Sequence, residues 1–306
     1  MAINLYNIKK WYLMLAGKSA SHVNQGIGKF FSPTEIKGYY NDLTEKVAIQ
    51  PELLSNEEVP KVRTEKGEDI IFPVAVFQYG LGAYDLFLST GNEKYLKKFN
   101  QCVKWTFENQ ESNGAWNNFF FYYPEHPYGS MAQGEGASLL LRAYKEYGDL
   151  KYLKAGERAL DFMIKPIQDG GTAEYSNADI IMHEYTHREA VLNGWIFSLF
   201  GLFDYEIATC FDGKYHEVLE KSIDTLIKYT PCFTLSYWSG YDLKGRIASP
   251  FYHHLHIAQY KALGILTGKD VFEEYAQKWE RQESNIICKF IAFFVKAIQK
   301  ITEKNV

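Results

Sequence analysis

The 306-residue chain has few cysteines, and they form neither a metal-binding nor a disulfide pattern. The four cysteines are far apart and include no C-x-x-C pair; they are Cys102, Cys210, Cys232 and Cys288. Their spacing argues against a zinc ribbon and against a disulfide framework. We therefore expect buried thiols and no cofactor.

Long apolar runs and excess positive charge are also missing. The apolar stretch at residues 11–17 is preceded by two lysines, and no run approaches the roughly 20 residues that span a bilayer. These observations argue against a signal peptide and a transmembrane helix, so the cytoplasm is the expected location. The formal net charge of −4 argues against whole-surface attraction to nucleic acid.

Several catalytic motifs are absent, whereas aromatic residues are abundant. The chain has no G-x-S-x-G elbow, no glycine-rich phosphate loop and no H-E-x-x-H helix, but it contains 23 Tyr and 21 Phe. Aromatic side chains fill cores and also stack on the apolar faces of sugar rings. Tyrosines recur beside charged residues, which makes the phenol a candidate acid or base if nearby cations lower its pKa.

A pattern of two helices recurs four times, at residues 76–110, 131–167, 191–229 and 252–282. In each copy the first helix is apolar on every side and the second has a polar stripe, which predicts inner and outer helices. Such pairs close into an α/α toroid. We expect residues 1–70 to form a helix and extended or β segments packed on the toroid, residues 71–282 the toroid itself, and residues 283–306 an amphipathic helix.

Three long connectors follow outer helices, so they should converge on one rim of the ring, at residues 111–130, 168–190 and 230–251. They carry residues suited to binding sugars or to catalysis. Trp116 and Asn117 lie on the first connector, and Glu184 and Tyr185 on the second. We predict one functional site at this rim.

Separated motifs in the second half of the chain resemble the C-terminal region of D-glucuronyl C5-epimerases of the heparan sulfate and heparosan type. The motifs are "MAQGEGASLLLRAY" at 131–144, "HEY" at 183–185, "GYDL" at 240–243 and "YHHLHIAQ" at 252–259, with "FPVAVFQYGLGAY" at 72–84 upstream. Motifs in a shared order are more specific than any one of them. The similarity covers roughly residues 70 to 282.

The resemblance implies catalysis by Tyr185, Tyr252 and Tyr241 with Glu184, acting on glucuronate units of a heparosan-like polysaccharide. Removal of H5 and return of a proton from the other face would give iduronate. The α-carboxylate gains charge as H5 leaves, so the site needs a cation. The candidates for that role, on the resembling loops, are Lys244, Arg246 and Arg188. The family's "YDL" is usually followed by arginine, whereas this chain has Lys244.

Other polar residues are predicted to contact substrate. Gln78, Gln133 and Asn193 interrupt apolar inner helices, where they either satisfy close packing or meet sugar hydroxyls. His253 and His256 share a helix face, but no nearby ligand completes a metal set, so we expect hydrogen bonds to substrate or to Tyr252 and no metal.

Other functions remain open on these residues. An inverting glycoside hydrolase could use two carboxyl groups from among Glu135, Glu184 and Asp242. A polysaccharide lyase shares the abstraction of H5 and differs in expelling the C4 substituent. A non-catalytic glycan-binding module is the fourth interpretation.

The C-terminal segment has an apolar stripe at spacings of four and three residues, formed by Ile287, Ile291, Phe294, Ile298 and Ile301. The pattern predicts a helix, with lysines on another face. Such a stripe must be covered, and its own toroid, a homodimer and a peripheral membrane contact are the alternatives.

Overall fold

Helical hairpins form most of residues 23–64 and 67–302, the part of the chain that this computed structural model describes. The side chains of Lys300 and Ile301 are outside the description, as is any helix within residues 1–22. The helices are α1 Thr44–Ala48, α2 Pro73–Thr90, α3 Glu93–Glu108, α4 Ser130–Tyr147, α5 Leu150–Met163, α6 Leu192–Ala208, α7 His216–Tyr229, α8 Pro250–Thr267, α9 Asp270–Ser284 and α10 Ile286–Thr302.

The predicted α/α toroid is confirmed. The pairs α2–α3, α4–α5, α6–α7 and α8–α9 coincide with the four sequence copies. Every residue of α6 from Leu192 to Ile207 is buried, whereas α7 buries one face. Inner and outer helices follow directly from this difference, because a helix that is apolar all round must be enclosed.

The turns within the hairpins explain why the helices end where they do. Gly91, Gly148 and Gly268 adopt left-handed φ values of 64°, 66° and 65° at the C-terminal ends of inner helices. Asn92 and Asp149 then accept hydrogen bonds from the backbone amides of the next helices. In α2–α3 and α4–α5, a glycine followed by a capping residue is thus the short connection that reverses the chain.

Inner helices approach closely where glycines face each other. A Cβ added at Gly201 of α6 would lie 2.6 Å from the Cα of Gly134 in α4. No ordinary side chain fits at that separation, so the glycines set the distance between these helices. Packing therefore requires glycine at these two positions.

Part of the N-terminal segment is buried among the inner helices. Tyr39 and Tyr40 are completely buried, and the Tyr40 hydroxyl donates to Asp204 over 2.7 Å. The carbonyl of Leu43 lies against Gly82, where a Cβ would approach it to 2.4 Å. The segment therefore completes the core.

Two short antiparallel hairpins accompany the helices within the described ranges. Strands β1 Val62–Arg63 and β2 Asp69–Ile70 lie before α2, which agrees with the extended N-terminal segment that was predicted. Strands β3 Ala173–Ser176 and β4 Asp179–Met182 lie within the second connector. Strand β4 is anchored to α7 through Thr225 and Ser222, and it delivers the chain to His183 and Glu184.

Candidate active site

A cavity of about 650 Å³ opens at the rim where the inner helices begin. Its wall includes Glu184, Tyr185 and Asn193 at the entry to α6, and Tyr252 in the first turn of α8. The N-terminal segment contributes further lining residues, including Lys46 of α1. The cavity therefore joins residues from distant parts of the chain, as ligand sites in rigid scaffolds commonly do.

Glu184 is held in a tight space between two glycines. A Cβ at Gly194 would lie 2.5 Å from its Oε2 atom, and a Cβ at Gly129 would lie 2.1 Å from its carbonyl oxygen. Burial raises the pKa of Glu184 to about 7, with an opposing contribution from Tyr185. Its Oε2 atom has no hydrogen-bond partner among the described residues. A carboxyl group with this pKa can exchange a proton near neutral pH.

Tyr185 is fixed by aromatic neighbours at the cavity wall. Its ring stacks on Phe119 with a centroid separation of 4.7 Å, and Tyr123 meets it edge-on at 5.9 Å. Burial and the nearby Glu184 carboxylate raise its pKa well above the usual value. The phenol is therefore protonated at neutral pH.

Tyr252 and Tyr241 form a second pair. Their ring centroids are 4.9 Å apart, and Tyr252 lines the cavity while Tyr241 lies behind it. Burial raises the pKa of both phenols, and Glu184 raises the pKa of Tyr252 further. The expectation that cations lower the tyrosine pKa values is not met, because burial dominates over the weaker effect of Arg246 on Tyr241.

The segment that carries Tyr241 is a small bridged loop. The Tyr241 amide donates to the Arg246 carbonyl over 2.6 Å, and the Leu192 amide donates to the Tyr241 carbonyl over 3.0 Å. Arg246 also pairs with the fully buried carboxylate of Asp242. The loop is thus tied to the start of α6, which explains how distant motifs meet.

The three predicted carboxylate-binding cations lie outside the cavity wall. Lys244 is exposed at the loop tip, and Arg246 is paired with Asp242. Arg188 donates to the Tyr123 hydroxyl and to His187, each over 3.0 Å, with its guanidinium 4.6 Å from the Tyr123 ring centroid. These positions support a structural role for the two arginines in the loops.

Lys46 of α1 is the half-buried cation in the cavity wall. Burial lowers the pKa of its ammonium group, and the Glu135 carboxyl opposes that effect. No carboxylate within residues 23–64 and 67–302 forms an ion pair with it. A cation in this position is available to an anionic ligand.

Four of the predicted substrate contacts are instead fully buried in the core. Gln133 bonds both backbone groups of Trp116, whose indole donates to the Thr106 carbonyl over 2.8 Å. His253 accepts from the Ser239 amide and donates to a carbonyl of α9, while His256 contacts the Ser239 hydroxyl. Burial lowers the pKa of His253 to about 4. Their positions support bracing of the connectors and not contact with a sugar.

Of the remaining predicted substrate contacts, two line the cavity and one does not. Gln78 and Asn193 line the cavity, and the Asn193 Oδ1 atom lacks a hydrogen-bond partner in the described part of the chain. Gln78 donates to the buried Glu135 carboxyl over 2.8 Å. Asn117 is not part of the cavity wall, whereas its neighbour Asn118 is.

Three cavity residues were not predicted from the sequence, namely Lys46, Asn118 and Phe119. Lys46 lies in a short charged stretch without a motif, so no local signal marks it. Asn118 and Phe119 lie on a predicted connector, and the aromatic composition of that connector was the available signal. Their positions depend on tertiary contacts that one sequence does not specify.

The described ranges contain no group of three or more His, Cys, Asp or Glu side chains that could hold a metal ion. The three phenols and the one carboxyl group at the rim can accept and donate protons.

The fold and the rim residues define an α/α toroid with a tyrosine and glutamate site. A family model described as D-glucuronyl C5-epimerase C-terminus matches residues 110–281, more than half of the chain. The chain therefore belongs to the D-glucuronyl C5-epimerase C-terminus family. The match includes Glu184, Tyr185, Tyr241 and Tyr252.

Individual relatives agree with this membership. A D-glucuronyl C5-epimerase of Caenorhabditis elegans is 26% identical over 61% of this chain and 35% of that protein. An uncharacterized protein of Methanocaldococcus jannaschii is 27% identical over 49% of this chain and 51% of its own. The chain thus spans between about a third and a half of the length of these relatives.

The fold also resembles a solved structure. It is a cellobiose 2-epimerase from Spirochaeta thermophila, with a TM-score of 0.52 and 8% identity over 92% of this chain and 86% of that one. At this identity the similarity concerns the fold alone.

Proposed function

We propose that this protein inverts C5 of D-glucuronate units to L-iduronate in a heparosan-like polysaccharide. The observation that carries the proposal is the placement of Glu184, Tyr185 and Tyr252 around one cavity in a member of the C5-epimerase family. Inversion requires a proton acceptor on one face of the sugar and a donor on the other. Two separate phenols in one cavity supply both.

The contact of the Glu184 carboxyl group with Tyr185 supports a relay in which Glu184 serves the tyrosines. A neutral phenol cannot accept H5 unless it loses its own proton, and the Glu184 carboxylate is the adjacent acceptor. One phenol therefore gives its hydroxyl proton to Glu184 and accepts H5 in its place. The other phenol donates its hydroxyl proton to C5 from the opposite face. Transfer of the proton from Glu184 to the remaining phenolate restores the site.

Lys46 supports the substrate carboxylate in this proposal. As H5 leaves, negative charge spreads from C5 into the adjacent carboxylate, and a fixed cation stabilises that charge more strongly in a water-poor cavity than in water. Lys46 lines the same cavity as the two phenols and has no carboxylate partner among the described residues. We assign the binding of the uronate carboxylate to this lysine.

The carboxyl groups favour proton transfer at carbon over glycoside hydrolysis. Asp242 is completely buried and paired with Arg246, and Glu135 is completely buried beneath Gln78. Glu184 is the one of the three hydrolase candidates that lines the cavity. An inverting hydrolase needs two carboxyl groups facing the substrate.

Incubation with heparosan and with its N-sulfated form in D2O tests the proposal. We expect deuterium at C5 and iduronate signals by NMR, without chain cleavage. Ultraviolet absorbance of an unsaturated uronate would instead identify a lyase, and new reducing ends would identify a hydrolase. Binding without any of these changes would leave a glycan-binding module.

A further inference from the structure

Helix α10 is attached to the toroid by one narrow face. Ala292 is buried against Trp238 and Ile247, and Cys288 and Val295 pack beside it. The Lys296 ammonium donates to the Ile247 carbonyl over 2.6 Å, and the Gln299 amide oxygen accepts from the Ile247 amide over 3.0 Å. These contacts hold α10 against the segment that carries Tyr241. The toroid covers this narrow face, whereas Ile287, Ile291, Phe294 and Ile298 of the predicted apolar stripe are exposed.

The opposite face of α10 exposes an unusual concentration of large apolar side chains. Seven of them are between 41% and 66% exposed, namely Ile286, Ile287, Phe290, Ile291, Phe293, Phe294 and Ile298. Scattered exposed apolar residues are ordinary, but a contiguous apolar helix face marks an interaction surface. Apart from α10, the exposed large apolar residues are separated along the chain or lie on connectors.

The charge of this helix indicates which surface it fits. Helix α10 contains three lysines and no aspartate or glutamate, although the whole chain carries a net charge of −4. Lys289 is exposed between the apolar residues. Among the described helices of this acidic protein, α10 is both cationic and apolar, which matches an anionic lipid surface where the apolar face enters the headgroup region and the exposed Lys289 meets phosphate. A second copy of α10 would bring only lysines and no carboxylate to such a contact.

We propose that α10 docks this protein in the plane of an anionic membrane surface. No helix within the described residues is long and apolar enough to cross a membrane, so the contact is interfacial. The exposed apolar face of α10 contacts the lipids. The phenyl rings of Phe290 and Phe294 insert among the acyl chains, and Lys289 lies near the headgroups. This inference rests on α10 and stands whether or not the proposed enzymatic activity is correct.

Co-sedimentation of the full chain with vesicles tests the proposal. We expect binding to vesicles of mixed phosphatidylglycerol and phosphatidylcholine, weaker binding to pure phosphatidylcholine, and a decrease at high salt because salt screens the lysines. The double substitution Phe290→Ser with Phe294→Ser should lower the partition coefficient by about tenfold or more. Both side chains are exposed, so the melting temperature should stay near that of the unaltered protein.

A matched pair of exposed apolar residues elsewhere provides the control. The double substitution Phe211→Ser with Ile265→Ser removes comparable exposed surface without touching α10 and should leave vesicle binding unchanged. Lys289→Glu should weaken binding to anionic vesicles more than to neutral ones. Absence of vesicle binding would overturn the proposal. A concentration-dependent dimer that is lost in the Phe290 and Phe294 variant would also overturn it, because the exposed face of α10 would then bind a second copy of the chain and not lipid. Equal losses in both double variants would also contradict it.

Discussion

At the scale of single residues, burial determines which groups can act as acids and which as bases. Glu184, Tyr185 and Tyr252 share one cavity, and burial raises the pKa of all three. The carboxyl group alone reaches a value near neutrality, at about 7. The tyrosines are therefore protonated at neutral pH, and in the proposed mechanism Glu184 allows one of them to accept a proton.

Replacement of Tyr252 by Phe tests the phenol itself. The ring and its contact with Tyr241 remain while the proton is lost, so folding should be nearly unchanged. We expect deuterium exchange at C5 to fall at least about 100-fold, the usual effect of losing general acid or base catalysis. Tyr260→Phe on the same helix is the matched control, because that hydroxyl bonds Thr230 in the core. Near-normal exchange in the Tyr252→Phe protein would remove this phenol from the mechanism.

The pH dependence of both activity and stability should reflect Glu184. Its folded pKa of about 7 exceeds the ordinary value of 4.5, so the folded protein binds more protons than the unfolded chain between these values. The free energy of unfolding should therefore fall as pH rises through that window, while C5 exchange should rise as the carboxylate forms.

Glu184→Gln removes this titration and tests the assignment. The variant should lose C5 exchange, and its unfolding free energy should decline less between pH 5 and about 8. Urea unfolding at a series of pH values measures the difference. Some decline should persist, because Asp85 and Glu135 have raised pKa values of about 7 and about 8. A profile identical to that of the unaltered protein would show that Glu184 titrates elsewhere.

Substitution of Lys46 separates charge from packing. Lys46→Gln should slow C5 exchange about 100-fold by removing the cation opposite the developing carboxylate charge, whereas Lys46→Arg should retain more activity. Lys61→Gln is the control, because Lys61 also borders the cavity but is exposed and lies 3.8 Å from Glu58. Equal effects at both lysines would indicate general electrostatic attraction of the polymer.

At the scale of helices, alanine substitutions at two glycines of α6 should have different effects, one mainly on activity and the other mainly on stability. A Cβ at Gly194 meets the flexible Glu184 side chain, whereas a Cβ at Gly201 meets the backbone of α4. Gly194→Ala should therefore displace Glu184 and reduce C5 exchange with a modest loss of stability. Gly201→Ala should destabilise by about 1–3 kcal/mol, the usual effect of overpacking.

Gly264→Ala in α8 is the matched control for these substitutions. Its nearest atom would be 3.7 Å away, an ordinary contact, so the better helix propensity of alanine should leave stability unchanged or slightly raised. Thermal unfolding and exchange on the three variants distinguish the cases. A Gly194→Ala protein with full exchange would contradict the tight placement of Glu184.

The helices were predictable from sequence because each pattern is local. Apolar segments and polar stripes predict the four hairpins without tertiary information, and a Gly-Asn and a Gly-Asp turn mark two of them. The site was only partly predictable. The family motifs identify Glu184, Tyr185, Tyr241 and Tyr252, but Lys46 reaches the cavity through the path of the N-terminal segment. His253 and Trp116 occupy the same connectors and helices as cavity residues, and sequence alone does not distinguish inward from outward orientation.

At the scale of the whole molecule, a buried charge network lies at the end of the ring away from the cavity. Arg142 and Asp204, near the C-terminal ends of α4 and α6, form an ion pair of 2.7 Å with both side chains 1% exposed. Arg142 also donates to the Gly38 carbonyl, and Tyr40 donates to Asp204. The network thus joins the N-terminal segment to two inner helices, while the cavity lies at their first turns.

Breaking this network should reduce stability and spare the chemistry. Asp204→Asn leaves the Arg142 guanidinium buried without its counter-charge, and removal of one partner from a buried pair typically costs about 3–5 kcal/mol. Tyr40→Phe removes one neutral hydrogen-bond donor and should cost about 1 kcal/mol. Urea unfolding gives both values, and C5 exchange per folded molecule should stay near normal in each variant because neither side chain borders the cavity. Loss of exchange in a folded Asp204→Asn protein would mean that the N-terminal segment transmits the position of α1, and with it Lys46, to the site.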